Sequence, residues 1–437
     1  MAPPGPRLSL KHRVRRLHPL APAMNHTLAR LERATAEDLT RYQERRLRWM
    51  VRLVAARSPF YREWFKTSGV DPRDIRTLAD LEQLPLLTRR HLVERPDDFR
   101  VYPRRVMWPS RSSGTSGAPV TVYRTQGSSI YELAALRRQW RWFGLPSSAR
   151  RVVLRGSDFA SDQGGYPTKL IPGANQLMVS SFQLTPANLD QILDDIRAFE
   201  PHAIEGWPSS MNVLAKLLLE RSTHLPVRAV ITSSEVMTPG QRNLLRSVFD
   251  GPIVDHYGQT ERVALAGVCE AGSMHIFSDY GIVELLPVDG SSNRREIVGT
   301  ALHNWGFPLL RYRTGDEVVS APSSACVCGR AFPLLGDIDG RIEDTFSTAD
   351  GRPLPLPGTA VDDLAGVHEA QIAQLAPGRF EVRVSPGVGF DEKAVSVQIR
   401  ENVDRLFGEG HELTIRVVDE LKRPPSGKLK SAVVESR

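Results

Sequence analysis

Three cysteines among 437 residues are too few, and odd in number, for a disulfide framework. Long apolar runs are also missing. Charges interrupt every stretch that approaches the roughly 20 residues needed to cross a bilayer, which excludes an integral membrane protein. The amino terminus lacks the continuous apolar core of a secretory signal, so a cytoplasmic address is expected. Acids are absent from the first 30 residues, where Arg7, Lys11, Arg13, Arg15, Arg16 and Arg30 accumulate among prolines. Residues 1–35 therefore read as a solvated basic arm, with contact to an anionic membrane surface or partner as the alternative. The whole chain has a formal net charge of +7, and beyond the arm its arginines are spread along the sequence with no basic patch interleaved with aromatics. That distribution favours an anionic small ligand, and no nucleic-acid partner is expected.

Hydrophobic residues at 41% and charged residues at 24% are ordinary for a globular protein, and the length suits more than one buried core. Leu39, Tyr42, Leu47, Met50, Val51 and Val54 recur at helical spacing, and Ser58-Pro59 ends that helix. Short strands at 152–154, 229–231 and 252–254 then alternate with amphipathic helices carrying Leu189, Ile192, Leu193, Ile196 and Phe199, and Met211, Leu214, Leu217 and Leu218. Strands separated by helices need crossovers, so a largely parallel sheet covered on both faces is expected. From about residue 281 strand follows strand, as in a β-rich subdomain. After Gly340 the tail reads strand 370–373, strand 380–384, helix 392–407 and strand 413–418. The fold class is thus α/β. A large domain over residues 36–340 holds the parallel sheet and the β-rich subdomain, and a small mobile α+β lid covers residues 341–437.

Five segments carry chemistry. Ser112-Ser113-Gly114-Thr115-Ser116-Gly117 combines two glycines with four hydroxyls, a composition that lets backbone amides and side chains cradle phosphates. No Gly-Lys-Ser/Thr closes it, so it is not a P-loop of the Walker type. Asp255-His256-Tyr257-Gly258-Gln259-Thr260-Glu261 follows a predicted strand, where open α/β sheets bind ligands. It offers an aromatic face, a hydroxyl and a carboxylate suited to a magnesium ion. Tyr312-Arg313-Thr314-Gly315-Asp316 reads as a bend that exposes the carboxylate. Asp339-Gly340-Arg341-Ile342-Glu343-Asp344 lies at the domain boundary, and Arg423-Pro424-Pro425-Ser426-Gly427-Lys428 presents one amine on a stiff-then-flexible loop. A nucleophile elbow of the Gly-x-Ser-x-Gly type is absent.

In this order the segments resemble the adenylate-forming superfamily of acyl-CoA synthetases, peptide-synthetase adenylation domains and luciferases. Arg155-Gly156-Ser157-Asp158, Gly206-Trp207-Pro208-Ser209-Ser210, Thr232-Ser233-Ser234-Glu235 and Cys328-Gly329-Arg330 are most similar to the phenylacetate-CoA ligase-like branch, particularly its members associated with capsular polysaccharide gene clusters. The resemblance implies that Ser112, Ser113, Gly114, Thr115, Ser116 and Gly117 grip the β- and γ-phosphates of ATP. Ser234 and Glu235 would line the adenine, Tyr257 and Gly258 would form its stacking surface, and Thr260 would contact the α-phosphate. Glu261 would bind Mg²⁺, Asp316 the ribose hydroxyls and Arg341 the ribose or phosphate, with Glu343 at the lid hinge. Lys428 would be catalytic. Ser116 and Ala118 stand where many relatives carry Thr and Lys, which removes a cation from the loop.

The implied activity is carboxylate activation through an acyl adenylate, followed by transfer to CoA or to an amine or hydroxyl acceptor. A non-catalytic nucleotide-binding accessory of a polysaccharide assembly system is the rival. Trp207, Pro208 and residues 156–159 are acyl-pocket residues or packing. Cys269, His275, Cys326 and Cys328 make a Cys₃His set that suits tetrahedral zinc, although the Cys-x-Cys gap is tighter than usual and ordinary thiols remain the alternative.

Overall fold

The computed structural model describes residues 20–111, 120–155, 166–288, 291–319, 325–341, 346–350, 353–354, 357–361, 364–422 and 430–435. Its contacts divide the chain into two units, Met1–Ser147 with Asp255–Ile338, and Ser148–Val254 with Asp339–Arg437.

The first unit opens on helices α1 (Leu20–Leu31), α2 (Ala36–Arg57) and α3 (Pro59–Ser68). The expectation of a solvated arm fails from residue 20 onward. Pro22 sits in the first turn, where a missing N–H costs nothing, and Leu28 and Leu31 are buried against Tyr131, Phe277 and Phe332. Thr35 caps α2 by accepting from the Asp38 amide at 3.1 Å, while Glu37 and Asp38 complement the helix dipole. Ser58 closes α2 through its amide and opens α3 through its hydroxyl, with Pro59 at the first helical position, so Ser58-Pro59 joins two helices rather than merely ending one. Antiparallel strands β1 (Trp108–Arg111) and β2 (Thr121–Arg124) follow, then α4 (Gln126–Trp142).

In the second unit β3 (Arg151–Arg155), β4 (Thr168–Ile171), β5 (Gln176–Ser180), β6 (Ala203–Gly206) and β7 (Ala229–Ser233) form a sheet in the order β7-β6-β3-β5-β4. It is parallel except for edge strand β4. Crossover helices α5 (Leu189–Phe199), α6 (Pro208–Glu220) and α7 (Pro239–Val248) bury their apolar stripes against it. All residues of β6 and β7 are buried, as central strands between helical layers should be, and the one charged residue among them, Glu205, is ion-paired with Arg151 of β3.

Strand β8 (Ile253–Gly258) carries the chain back into the first unit, where β9 (Leu265–Val268) and β10 (Met274–Ile276) continue antiparallel from its end. A second antiparallel sheet, β11 (Gly281–Pro287), β12 (Arg294–Ala301) and β13 (Tyr312–Val319), is the β-rich part expected from the sequence. Strand β14 (Ile338–Arg341) leads out.

The tail belongs to the second unit. It comprises β15 (Val367–Ala376), β16 (Arg379–Pro386), α8 (Glu392–Phe407), β17 (Glu412–Val417) and β18 (Ala432–Val434), with sheet order β17-β16-β15-β18. Val395, Ile399, Val403 and Phe407 of α8 pack on Phe380, Val382 and Val384, one small separate core. Lys216 of α6 donates to the Val367 carbonyl at 2.7 Å, and Glu220 lies 3.5 Å from His368. Among the described residues no helix is long and apolar enough to cross a membrane.

Candidate functional site

In the first unit, β8 extends through Gly258, so Tyr257 and Gly258 are the last strand residues rather than part of a following loop. Thr260 and Glu261 lie in the turn beyond, held by the Arg262 amide bonding to the Gln259 carbonyl. Arg262 has φ 59°, a left-handed conformation costly for a side-chain-bearing residue, and such strain concentrates at sites where geometry matters.

Tyr257 donates its phenolic proton to Asp316 at 2.6 Å. This bond corrects the expectation that Thr314-Gly315 would expose the Asp316 carboxylate. Gly315 adopts φ 73° inside β13, opposite an irregularity in the β12 pairing, and the local twist turns Asp316 inward, where it is buried. Thr314 locks the twist by donating to the Ile297 carbonyl at 2.8 Å and accepting from the Asp316 amide at 3.1 Å. Burial, reinforced by the Asp316 charge, pushes the Tyr257 phenol well above its ordinary value, so it stays a donor. Glu261 is buried and accepts from Tyr312 at 3.3 Å. One aromatic ring and two buried carboxylates are thus brought together.

Two arginines lie close to the turn that carries Thr260 and Glu261. Arg262 is ion-paired with Glu132 and donates to the Ser128 and Ser129 hydroxyls, both at 3.4 Å. Arg124, the last residue of β2, donates to the Thr260 carbonyl at 3.1 Å. Burial and the neighbouring Arg262 charge push Arg124 down to about 10. Sequence reasoning did not single out Arg124, because nothing local distinguishes it from other strand arginines.

In the second unit, Ser234 and Glu235 follow β7. Ser234 is exposed with φ 70°, a second strained position at an expected site residue. Glu235 accepts from the Ser209 amide at 2.8 Å and the Ser209 hydroxyl at 3.0 Å, which fixes its carboxylate at the amino terminus of α6, where the helix dipole favours negative charge. The two residues are 26 apart in sequence. Gly206, just before this helix, is required by packing: a Cβ there would lie 3.0 Å from Met211 and 3.2 Å from Leu154. Trp207 is half-buried at the helix cap.

Ser112, Ser113, Gly114, Thr115, Ser116, Gly117, residues 156–159, Glu343 and Lys428 lie outside the described residues, and Arg341 is described only as the end of β14. Ser431, three residues after Lys428, lines a small cavity with Ser209, Gln241, Lys216 and His368.

The cysteines do come together. Ligand atoms of Cys269, His275, Cys326 and Cys328 all lie within 4.8 Å of one another. The Cys269 and Cys326 sulfurs are 3.7 Å apart, far beyond a disulfide and close to the ~3.8 Å edge of a tetrahedron with metal–sulfur bonds of about 2.3 Å. Cys328 Sγ is 3.4 Å from His275 Nε2. His275 Nδ1 lies 2.8 Å from the Phe332 carbonyl, so Nδ1 carries the proton and Nε2 presents its lone pair to the cluster. The tight Cys-x-Cys spacing is accommodated because Val327 is 93% exposed at the apex of the turn while the flanking thiols face inward. Cys269 and His275 belong to the β9–β10 hairpin, not to the β11–β13 sheet. Donor types, separations and tautomer all fit a structural zinc ion.

A family model described as AMP-binding enzyme matches residues 27–306. The phenylacetate-coenzyme A ligase of Thermus thermophilus is 26% identical over 393 residues, 87% of this chain and 85% of that protein. Protein CapK of Staphylococcus aureus is 22% identical over 286 residues, 64% of this chain and 63% of its own length. The solved structure of a 2-hydroxyisobutyryl-CoA ligase in the postadenylation state matches with a TM-score of 0.73 at 18% identity, covering 94% of this chain and 92% of the other. At that identity the likeness is one of fold.

Proposed function

The chain belongs to the family of AMP-binding enzymes, in its phenylacetate-CoA ligase-like branch, and on that footing we propose how its own residues carry out adenylate-forming ligation. The reaction joins a carboxylic acid to the α-phosphate of ATP, releases pyrophosphate and passes the acyl group to an acceptor, for which CoA thiol is the reading favoured by the ligase relatives. The observation that carries the residue assignment is the Tyr257–Asp316 bond: it joins an aromatic face to a buried carboxylate, and Glu261 stands beside Tyr257.

In this reading Tyr257 and Gly258 present the flat surface for adenine. Asp316 accepts from the ribose hydroxyls. Its bond to Tyr257 fixes both groups before the nucleotide arrives, which spares ordering cost at the moment of binding. Ser234 and Glu235 border the adenine in the second unit, Glu235 being held rigid by Ser209. Thr260 reaches the α-phosphate. Ser112 to Gly117 supply amides and hydroxyls to the outer phosphates, and Arg341 reaches the ribose or phosphate. Glu261 is the residue to hold Mg²⁺, which when bound neutralises the departing pyrophosphate. Lys428 brings an ammonium between the attacking carboxylate and the α-phosphate, two anions whose approach it favours electrostatically. Removing such a preorganised donor costs about 3–4 kcal/mol of barrier. Residues 341–437 act as the lid that delivers and withdraws Lys428.

The Cys269, His275, Cys326 and Cys328 cluster is assigned as a structural zinc site, distinct from the chemistry. Carboxylate-dependent exchange of radiolabelled pyrophosphate into ATP, screened over aryl, aliphatic and sugar acids, tests the proposal. Supplying CoA, amines or sugars to the preformed adenylate then identifies the acceptor. Exchange with no acid would favour the accessory-protein reading.

A further inference from the structure

The loop from Ser112 to Val120 contains no lysine or arginine. A triphosphate carries about four negative charges, and the cations assigned to it so far, Arg341 and Lys428, both come from the tail, so a cation of the first unit is to be expected among the residues around Thr260 and Glu261. Two guanidinium groups are there, and they differ in one respect. Arg262 is already neutralised by Glu132 and held by two serine hydroxyls. Arg124 has no ion-pair partner among the described residues, whereas the Nε atoms of both arginines are buried without a hydrogen-bond partner.

A largely buried charge without a counter-ion is costly, so a fold that leaves Arg124 unpaired beside an ion-paired Arg262 is holding a place for an anion or wasting stability. The geometry points to the first. Arg124 lies at the end of the strand that emerges from the Ser/Gly loop, and it is anchored through Nη2 on the carbonyl of Thr260, the residue assigned to the α-phosphate. We propose that Arg124 is a further phosphate-binding cation of this site, beside Arg341 and Lys428, an anion-seeking guanidinium whose Nε edge takes a non-bridging phosphate oxygen. Burial and Arg262 oppose its charge, as expected of a cation whose partner arrives with the substrate. This inference rests on the nucleotide reading above.

The test separates charge from tethering and needs no knowledge of the acid. Arg124→Gln keeps an amide able to donate to the Thr260 carbonyl but removes the charge; Arg124→Lys keeps the charge. Binding of Mg-ATP and of adenosine is measured by calorimetry on the full chain, with melting temperature as a folding control. The expected result is Mg-ATP binding at least tenfold weaker in Arg124→Gln, unchanged adenosine binding, and Arg124→Lys closer to wild type than Arg124→Gln. Equal weakening of both ligands would mean a structural role and overturn the proposal, as would Mg-ATP binding equal to wild type. A wild-type chain that binds no Mg-ATP would bring down the nucleotide reading itself, a failure distinguishable from the other two because it does not depend on the variant.

Discussion

Replacing Cys328 by serine should cost the first unit both its metal and a large part of its stability. Among the four donors, Cys269 and Cys326 are 57 positions apart, so an ion held between them closes a long loop. Treated as a crosslink in the chain-entropy description, such a closure is worth about 4 kcal/mol. At roughly 2–4 °C per kcal/mol for a unit of this size, loss of the ion lowers its melting temperature by roughly 8–16 °C. The assay is zinc content per chain by mass spectrometry beside thermal unfolding, for wild type, wild type treated with chelator, and Cys328→Ser. Wild type should hold one zinc, and chelated wild type and the variant should melt at the same lowered temperature, because each lacks the same tether. Wild-type protein purified without chelator that holds no zinc would refute the reasoning. So would a zinc-free variant melting with wild type.

Two further outcomes follow from single groups. Tyr257→Phe removes one hydrogen bond to an ionised acceptor, worth about 1.5–3 kcal/mol of stability, so the melting temperature should fall by roughly 3–12 °C, and with Asp316 no longer fixed kcat/KM for ATP should fall as well; unaltered ATP kinetics would detach Tyr257 from the nucleotide. His303 is buried between Tyr131 and Tyr280, and burial, aided by the Arg262 charge, holds it down to about 3. Between pH 6.5 and 3 the unfolded chain therefore binds the proton that the folded chain refuses, and stability falls with falling pH by up to about 1.4 kcal/mol per unit. Denaturant titrations at pH 6 and 4.5 should show His303→Gln losing about 2 kcal/mol less than wild type across that interval, and parallel losses would contradict the assignment.

Regular periodicity made much of the fold legible in the sequence. Helix α8 spans the residues its apolar spacing marks, Glu392–Phe407, and strands β3, β7 and β16 lie where short apolar runs place them. Helix α1 was hidden by Pro22 and by the surrounding basic residues, although Met24, Leu28 and Leu31 share one face. The site residues that recur in motifs were legible as types, but their bonds were not. Ser209 meets Glu235 only because α6 and the end of β7 are neighbours in the sheet layer, a relation 26 residues long that no local pattern encodes. Asp316 looked exposed because Thr-Gly usually turns the chain; in β13 the positive φ of Gly315 instead bulges a continuing strand. Arg124 carries no sequence signal at all, since what separates it from Arg262 is the lack of an ion pair among the described residues, visible only once the neighbouring charges are placed.

The central claim is that one nucleotide is gripped by the Tyr257–Asp316 pair and acted on by Lys428. Carboxylate-dependent ATP–pyrophosphate exchange, measured for wild type and Lys428→Ala with the acid giving the highest wild-type rate, addresses it directly. The account predicts robust exchange in wild type and a loss of a hundredfold or more in the variant, with Mg-ATP still bound. Exchange that proceeds undiminished without the Lys428 amine would contradict it.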